Sequence, residues 1–225
     1  MGLDMYLERM PRFKGATPDD ISAIESFFDW VKAKEEGSEY AQCTFKEWCG
    51  REKPPSEDYF KFYADFYNTK YYYWDTEHKY GRNYIKEQVG YWRKANEIHN
   101  WFVENVQDGE DDCRYHREVT REVLEELLSM CNKVLASCRL VDGEIENGYN
   151  FDEDGNRIPI LTDGKYVEDP SVAEELLPTT SGFFFGGTNY DEYYVEDIEN
   201  TIDIITTVLE TTDFEKEMIY YVSSW

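Results

Sequence analysis

Apolar and polar residues alternate at the start of the chain, where Leu3, Met5 and Leu7 fall on one side of an extended segment. This period of two predicts a short β-strand with one buried face. The final stretch EMIYYVSSW, residues 217–225, is rich in β-forming side chains and predicts another strand. We expect the two strands to pair, which would tie both termini into one small sheet.

Apolar residues recur at three- and four-residue steps in four earlier stretches, and this spacing predicts helices. The first helix begins at Thr17, whose side chain can cap it, and ends near Gly37. The second begins after Ser56, the third runs from about Tyr84 to Val106, and Thr120 caps the fourth. The run YYYW after the second helix fits either a helix end or a loop. The four apolar faces are Ile21, Ile24, Phe28 and Val31; Phe60, Tyr63 and Tyr67; Trp92, Ala95, His99, Phe102 and Val106; and Val123, Leu127, Met130 or Cys131, and Val134.

The C-terminal part of the chain changes in character. Glycines and the turn sequences EDGN and DGK punctuate residues 141–167, which predicts a β-hairpin arm. Helical periodicity resumes at Pro170, stops at Pro178 and returns at Tyr193. The apolar face of this last helix is Val195, Ile198, Ile202, Ile205 and Leu209.

Together these elements predict an α+β fold in one mainly α-helical domain, 1–225. A small antiparallel sheet would hold the N- and C-terminal strands, and residues 139–167 would form an inserted β-rich arm. A chain of 225 residues is long enough to bury a core of this kind.

The chain is strongly acidic, with a formal net charge of -25, and the charge is unevenly distributed. From Asp142 to Trp225 there are 21 acids and 3 bases, whereas the first 141 residues hold 27 acids and 20 bases. A field of this sign repels DNA, RNA and anionic membranes and attracts basic protein surfaces. Solubility would explain the amount of charge but not its concentration in one third of the chain.

The sequence predicts a cytoplasmic protein that does not enter a membrane. No apolar run approaches the roughly 18 residues of a membrane helix, and the start MGLDMYLERM has no basic segment with a long apolar stretch. The chain has five cysteines, an odd number, which we expect to be free thiols in a reducing compartment.

Two segments invite a metal-site hypothesis. In NFDEDGNRIPIL, Asn150, Asp152 and Asp154 match the first ligand positions of a calcium loop, but Leu161 stands where the bidentate Glu belongs. A type I′ turn at EDGN explains the same residues. A zinc site would need Cys113 and His116 together with a second cysteine pair whose spacing is wider than usual; that pair is Cys131 and Cys138. We therefore predict no metal and no cofactor.

Motifs for catalysis are weak in this sequence. The chain has three histidines, no G-x-S-x-G and no glycine-rich phosphate loop. His99 lies on the apolar stripe of the predicted third helix, which favours a buried core histidine over a general base. A small hydrolytic or nucleotide-modifying enzyme that uses Arg93, His99 and nearby carboxylates stays open as an alternative.

Acidic side chains form a stripe on the last predicted helix, beside its apolar face. A rise of about 1.5 Å per residue makes the row from Glu192 to Glu210 roughly 27 Å long. Like charges four residues apart destabilise a helix. The stripe is therefore either a solvated face or a row of carboxylates spaced like successive phosphates and presented to a nucleic-acid-binding groove. The predicted partner-binding residues are Asp191, Glu192, Glu196, Asp197, Glu199, Asp203 and Glu210, with Tyr190, Tyr193 and Tyr194 as contact surface.

Three stretches carry a resemblance to other proteins. They are MGLDMYL at the start, VGYWRKANEIHNWFVENVQDGEDDC at 89–113 and EELLPTTSGFFFGGTNYDEYYVEDIENTI at 174–202. Over more than half of its length the chain resembles a family of small phage and prophage proteins, relative to which 139–167 looks like an insertion. The resemblance implies a protein that acts in the cytoplasm of a bacterial host, and it implies no particular activity.

Five polar residues lie close together within the second of these stretches. On a helix, Arg93, Asn96, Glu97, His99 and Asn100 are neighbours. They would form either a polar binding site or a set of hydrogen bonds that fixes the helix against a loop.

These observations predict a non-enzymatic phage inhibitor. It would mimic nucleic acid and occupy the basic channel of a host defence protein, such as a CRISPR effector, without binding nucleic acid itself. The choice of target is an analogy with other small acidic phage proteins. An interaction module whose charge serves only solubility is the remaining alternative, and a homodimer formed through the aromatic surface is compatible with it.

Overall fold

A computed structural model of the chain describes residues 2–12, 73–75, 82–84, 86–182 and 185–225, together with 17, 18, 26, 29, 30, 33–39 and 42. The helix predicted after Ser56 and most of the first helix lie outside these residues. Residues 33–35 are helical, and Gly37 follows with a φ of 74°. The first helix therefore ends where the sequence predicts.

The described elements confirm the α+β fold, with helices and small antiparallel sheets. In chain order they are β1 (Asp4–Pro11), β2 (Tyr73–Asp75), β3 (Arg82–Tyr84), β4 (Glu87–Arg93), α1 (Asn96–Val106), α2 (Arg121–Ser137), β5 (Leu140–Phe151), β6 (Arg157–Val167), α3 (Ser171–Leu176), α4 (Glu192–Thr211) and β7 (Glu217–Ser224).

The two terminal strands lie in the same sheet, as predicted. Its order is β4-β1-β7, so the N-terminal strand is central. Two further sheets have two strands each, β2 with β3 and β5 with β6, and both pairs are antiparallel. Tyr73 and Trp74, from the run YYYW, belong to β2 rather than to a helix end or a loop.

The helix predicted from about Tyr84 to Val106 is wrong in its first half. Residues 87–93 form β4, and α1 begins only at Asn96. Lys94 has a positive φ of 64°, which an α-helix cannot contain. Trp92 points into the core, where its indole N–H donates to Thr201 Oγ1 at 2.9 Å. Because this hydrogen bond joins residues far apart in sequence, it depends on tertiary packing, and that packing favours a strand at Trp92.

Aromatic rings fill the centre of the hydrophobic core. The ring of Phe102 on α1 stacks on Tyr221 of β7 at 4.2 Å and meets Trp101 edge-on at 5.3 Å. Helices α2 and α4 supply apolar faces at the predicted spacing. Buried residues of these two faces include Leu124, Leu127, Cys131, Val134, Val195, Ile198, Ile205 and Val208.

The ends of the helices are fixed by polar side chains. Thr120 caps α2 as predicted, because its hydroxyl accepts a hydrogen bond from Val123 N at 3.4 Å. Arg121 donates to the carbonyl of Leu209 at 3.3 Å, near the C-terminus of α4, and its guanidinium lies 4.6 Å from the ring centre of Phe214. A cation placed there offsets the negative end of the helix dipole.

The chain divides into two compact units. The first comprises 1–7, 88–214 and 219–225, and the second comprises 8–87 and 215–218. Within the second unit, the buried guanidinium of Arg9 donates to Glu87 Oε2 at 2.7 Å and lies 3.9 Å from Glu217. The hairpin arm belongs to the first unit.

The predicted hairpin arm is present, and its turn differs from the predicted type. The strands end at Phe151 and Arg157, so five residues connect them. Gly155 N donates to the carbonyl of Asp152 at 3.1 Å, which places a β-turn over 152–155 rather than at EDGN. The Asp152 carboxylate accepts hydrogen bonds from Asp154 N and Asn156 N at 2.9 and 2.7 Å. This carboxylate therefore stabilises the turn, in place of the calcium-loop geometry.

Sheet and helix approach each other closely at Gly90. A Cβ atom there would lie 2.8 Å from Ile204 Cγ2 and 3.2 Å from Leu7 Cβ. We expect Gly90→Ala to lower the free energy of unfolding by about 1–3 kcal/mol through overpacking. Gly187→Ala is the matched control, because nothing lies within 4 Å of its Cβ position. Equal urea midpoints for the two variants would contradict the close approach.

Candidate functional site

Four acidic side chains on α4 form one exposed stripe. Glu196, Glu199, Asp203 and Glu210 follow each other at intervals of three, four and seven residues, which keeps them on one side of the helix. All four are exposed, and Glu192 at the start of the row is half-buried. None of the four forms an ion pair with another residue that the structure describes. We call these four residues the acidic stripe.

The acidic stripe is less dense than a nucleic-acid backbone. Neighbouring charges are separated by about 4.5 to 10.5 Å along the helix axis, whereas phosphates on one DNA strand follow at about 3.4 Å. The predicted match to successive phosphates therefore holds for the sign and the linear arrangement, not for the spacing. Glu210 also lies in the last turn, where a negative charge opposes the helix dipole.

Asp191 and Tyr194 are buried, contrary to their predicted role in partner binding. Asp191 is the N-cap of α4, and its carboxylate accepts from Tyr193 N and Tyr194 N at 3.0 and 3.3 Å. The hydroxyl of Tyr194 donates to the carbonyl of Leu177 at 3.0 Å. Both side chains therefore fix the start of α4 and its approach to α3. Burial raises the pKa of Asp191.

The two other predicted tyrosines differ in exposure. Tyr193 is 49% exposed and lies in the first turn of α4, next to the start of the acidic row. Tyr190 is half-buried, with its hydroxyl accepting from Thr179 N at 3.3 Å and its ring edge-on to Tyr194 at 5.0 Å. Only Tyr193 offers a broad contact surface for a partner.

Asp197 lies on a different side of α4 from the acidic stripe and is half-buried. Burial raises its pKa to about 7, and the charges of Glu196 and Asp191 act in the same direction. Glu97 on α1 is 2% exposed, and Oε1 of its carboxyl has no hydrogen-bond partner among the described residues. Burial raises the pKa of Glu97 well above its usual range, and Asp197 and Asp191 raise it further.

Asn96 fixes a loop to α1, as one of the two hypotheses for the polar residues predicts. Its amide nitrogen donates to the carbonyls of Phe185 and Gly187 at 3.2 and 2.7 Å, and its oxygen accepts from Thr180 N at 2.7 Å. Asn96 itself is buried. One side chain therefore holds both flanks of the segment SGFFFG.

His99 is a buried core histidine. Its Nδ1 lies 2.7 Å from the Tyr221 hydroxyl and its Nε2 lies 3.1 Å from Asp111 Oδ1. The edge of Phe185 packs against the imidazole with the ring centres 5.0 Å apart. Burial lowers the pKa of His99, and Asp111 opposes that shift. At 1% exposure, the imidazole is closed to a substrate.

The five polar residues do not converge on one cleft. Arg93 and Lys94 are exposed on the strand side, and Arg93 lies next to Gly2. Asn100 is half-buried, whereas Asn96, Glu97 and His99 are buried and face different partners. The prediction that all five are neighbours on one helix is wrong, because Arg93 lies on β4 and α1 begins only at Asn96.

The cysteines of the rejected zinc hypothesis belong to no metal-ligand group among the described residues. Cys131 is buried on α2, where burial raises its pKa to about 12, and Cys113 is exposed in the loop before that helix. Within the described part of the chain, the one group with metal-ligand spacing is Glu110, Asp112 and His116. Hydrogen bonds from His116 and Arg114 hold the pKa of Asp112 at about 2, although desolvation acts in the opposite direction. The exposed guanidinium of Arg114 forms an ion pair with this carboxylate at 2.5 Å.

Comparison with known proteins adds nothing to this geometry. Neither a protein-family model, nor a curated protein, nor a solved structure matches the chain. No helix among the described residues combines the length and the apolar character needed to cross a membrane.

The sequence does not signal two features that the structure reveals. One is the electrostatic interaction of buried Glu97 with Asp197 and Asp191, which depends on how α1 and α4 pack. The other is the exposure of large apolar side chains on the hairpin arm, among them Phe151 at 64% and Leu161 at 51%. Apolar residues in a strand pattern ordinarily indicate a buried face.

Proposed function

We propose that this protein is a non-enzymatic inhibitor that binds a basic, nucleic-acid-binding protein through the acidic stripe of α4. The observation that carries the proposal is the row of exposed carboxylates at 196, 199, 203 and 210. None of them forms an ion pair with another described residue. A solvated helix face ordinarily mixes both signs of charge. This face carries one sign, which is the pattern that attracts a basic surface and repels nucleic acid.

The energetics of α4 support a binding role for the stripe. Like charges at i and i+4 reduce helix stability by a few tenths of a kcal/mol per pair. Glu199 and Asp203 form such a pair, and Glu196 lies three residues before Glu199. The apolar face of α4 compensates for this cost by packing in the core. A row that is unfavourable within its own helix becomes favourable when another molecule supplies the opposite charges.

A host defence protein is the proposed class of partner. The resemblance to phage proteins supports this choice, and a CRISPR effector has a basic channel of the required kind. The stripe carries roughly half the axial charge density of a DNA strand. We therefore expect it to occupy part of such a channel rather than to replace a whole duplex.

The alternative of an enzyme built on Arg93 and His99 has less support. The imidazole is 1% exposed, and the guanidinium is exposed on another part of the first unit. A general base has to reach the proton that it abstracts. Enzymatic chemistry at this pair would require α1 to leave the core.

A pull-down from bacterial host lysate tests the proposal, with elution by short duplex DNA. The wild-type chain should retain a nucleic-acid-binding protein that DNA displaces and that salt above about 0.3 M releases. A stripe variant, E196Q/E199Q/D203N/E210Q, should retain about tenfold less of it. The matched control E122Q/E126Q/E174Q/E175Q removes four exposed acids elsewhere and should bind like the wild type.

Two results would contradict the proposed function. One is a retained protein that neither DNA nor salt displaces. The other is equal recovery from the stripe variant and the control variant, because binding would then depend on net charge alone. Circular dichroism spectra of both variants establish that α4 is intact.

A further inference from the structure

The outer half of the hairpin arm is solvated on both faces. From Glu146 to Asp163, every residue whose burial is described is exposed, apart from half-buried Asp152. The base of the arm is different, because Ile145 and Val167 are buried and Tyr166 forms a bridge with Asp191. The outer arm therefore projects from the first unit with a fixed base.

Large apolar side chains occupy both faces of this projecting segment. The register pairs Phe151 with Arg157 and Tyr149 with Pro159, so these positions share one face with Leu161. Ile158 and Ile160 lie on the opposite face, 50% and 39% exposed. Single exposed apolar residues are common, whereas several on one projecting element indicate an interaction surface.

The arm is ordered enough to present these side chains. Its turn is fixed by the Asp152 carboxylate, and the ring of Tyr149 meets Phe151 edge-on at 5.3 Å. Among the described strands, β5 and β6 pair only with each other in the outer arm, so the outer edge of each carries backbone groups with which an extended segment can pair.

The charge of the arm indicates which kind of molecule binds this surface. Residues 140–167 contain seven acids and two bases, a net charge of -5. Anionic membranes would repel such an arm. Two copies of a chain with net charge -25 would also repel each other. A protein segment with basic and apolar side chains satisfies both the charge and the apolar surface.

We infer that the arm is a second docking element, which binds an extended segment of a partner protein with alternating basic and apolar side chains. The inference rests on the proposed function in one respect, the basic character of the partner. Phe151 and Leu161 on one face, and Ile158 and Ile160 on the other, provide the apolar contacts. The acids of the arm provide the attraction.

Two eight-residue peptides test the arm without knowledge of the partner. One alternates Lys with Leu and the other alternates Lys with Ser, so that their charges are equal. By fluorescence anisotropy, the wild-type chain should bind the Lys-Leu peptide about tenfold more tightly. The variant F151S/I158S/I160S/L161S should lose this preference. The control N147S/N150S changes exposed polar residues of the same arm and should keep it.

The outcomes separate this inference from the proposed function. Equal affinity of the wild type for both peptides, or a preference that survives the arm substitutions, would overturn the docking role. So would arm-dependent dimerisation in sedimentation velocity, or arm-dependent binding to phosphatidylglycerol vesicles. The stripe variant should keep the Lys-Leu preference. If the wild-type chain captured no protein that DNA displaces, but still preferred the Lys-Leu peptide, only the proposed function would be contradicted.

Discussion

Glu97→Gln is expected to stabilise the protein at neutral and alkaline pH. The carboxyl is buried, one of its oxygens has no hydrogen-bond partner among the described residues, and the nearby charges of Asp197 and Asp191 are negative. An ionised carboxylate in this place is unfavourable, because burial removes its hydration and none of the described cations lies beside it. A neutral amide of nearly the same shape removes the charge. We expect a gain of about 1–3 kcal/mol at pH 8.

The pH dependence of this effect follows from the direction of the pKa shift. The pKa of Glu97 is raised on folding, so the native state binds the proton more tightly than the unfolded state. Stability is therefore greatest below the unfolded pKa, about 4.5, and falls as pH rises towards the folded pKa. Asp197, with its pKa raised to about 7, contributes with the same sign. At pH 4, Glu97→Gln should change stability little.

Urea unfolding at pH 4 and pH 8 measures this prediction. The control is Glu104→Gln, an exposed acid on the same helix, which should leave the unfolding free energy unchanged within about 0.5 kcal/mol. A destabilisation at pH 8 would contradict the prediction, since it would mean that the ionised carboxylate has a favourable partner. A gain of the same size at both pH values would exclude a charge effect.

Elements with strong local signals were predicted well from the sequence. Helices α2 and α4 have long apolar stripes, and Thr120 marks the start of α2, so these signals lie within a few residues of each other. The terminal strands were predicted from their alternation and composition. Their pairing followed because both need a partner to cover an edge.

The boundary between β4 and α1 could not be located in this way. Trp92, Ala95 and His99 recur at helical spacing although a strand and a positive φ at Lys94 separate them. The spacing arises because residues from two elements face the same core. Only contacts distant in sequence, such as Trp92 with Thr201, distinguish the two cases.

The sequence predicted only part of the candidate site, and the reason is similar. Spacing alone placed Glu196, Glu199, Asp203 and Glu210 on one side of α4, and these residues are exposed. The roles of Asp191 and Tyr194 depend on where the preceding loop and α3 pack, which helical periodicity does not report. The sequence does show Asp191 before the first helical turn, a signal for an N-cap that could have been used.

Asn96→Ala is expected to have the largest effect on the loop 178–190. It removes hydrogen bonds to the carbonyls of Phe185 and Gly187 and to the amide of Thr180. Phe185 is buried, so its carbonyl would lose its hydrogen-bond donor without gaining a water molecule in exchange. The unsatisfied buried carbonyl of Phe185 costs about 1–3 kcal/mol, and the hydrogen bonds to Gly187 and Thr180 contribute about 1 kcal/mol each, which gives a loss of roughly 3–5 kcal/mol in the free energy of unfolding.

The loss should be accompanied by local opening of the loop, because Asn96 bridges both sides of it. Limited proteolysis should then cleave the chain near 181–187 while α1 stays protected in hydrogen exchange. Asn100→Ala tests whether the effect belongs to the bridge, since Asn100 lies on the same helix, half-buried, and should lose less than about 1 kcal/mol. If both variants lost equal stability, or if Asn96→Ala left the loop resistant to protease, the loop would be held by Phe185 packing against His99 instead. That packing is the edge-on contact at 5.0 Å, and His99→Ala would then open the loop where Asn96→Ala does not.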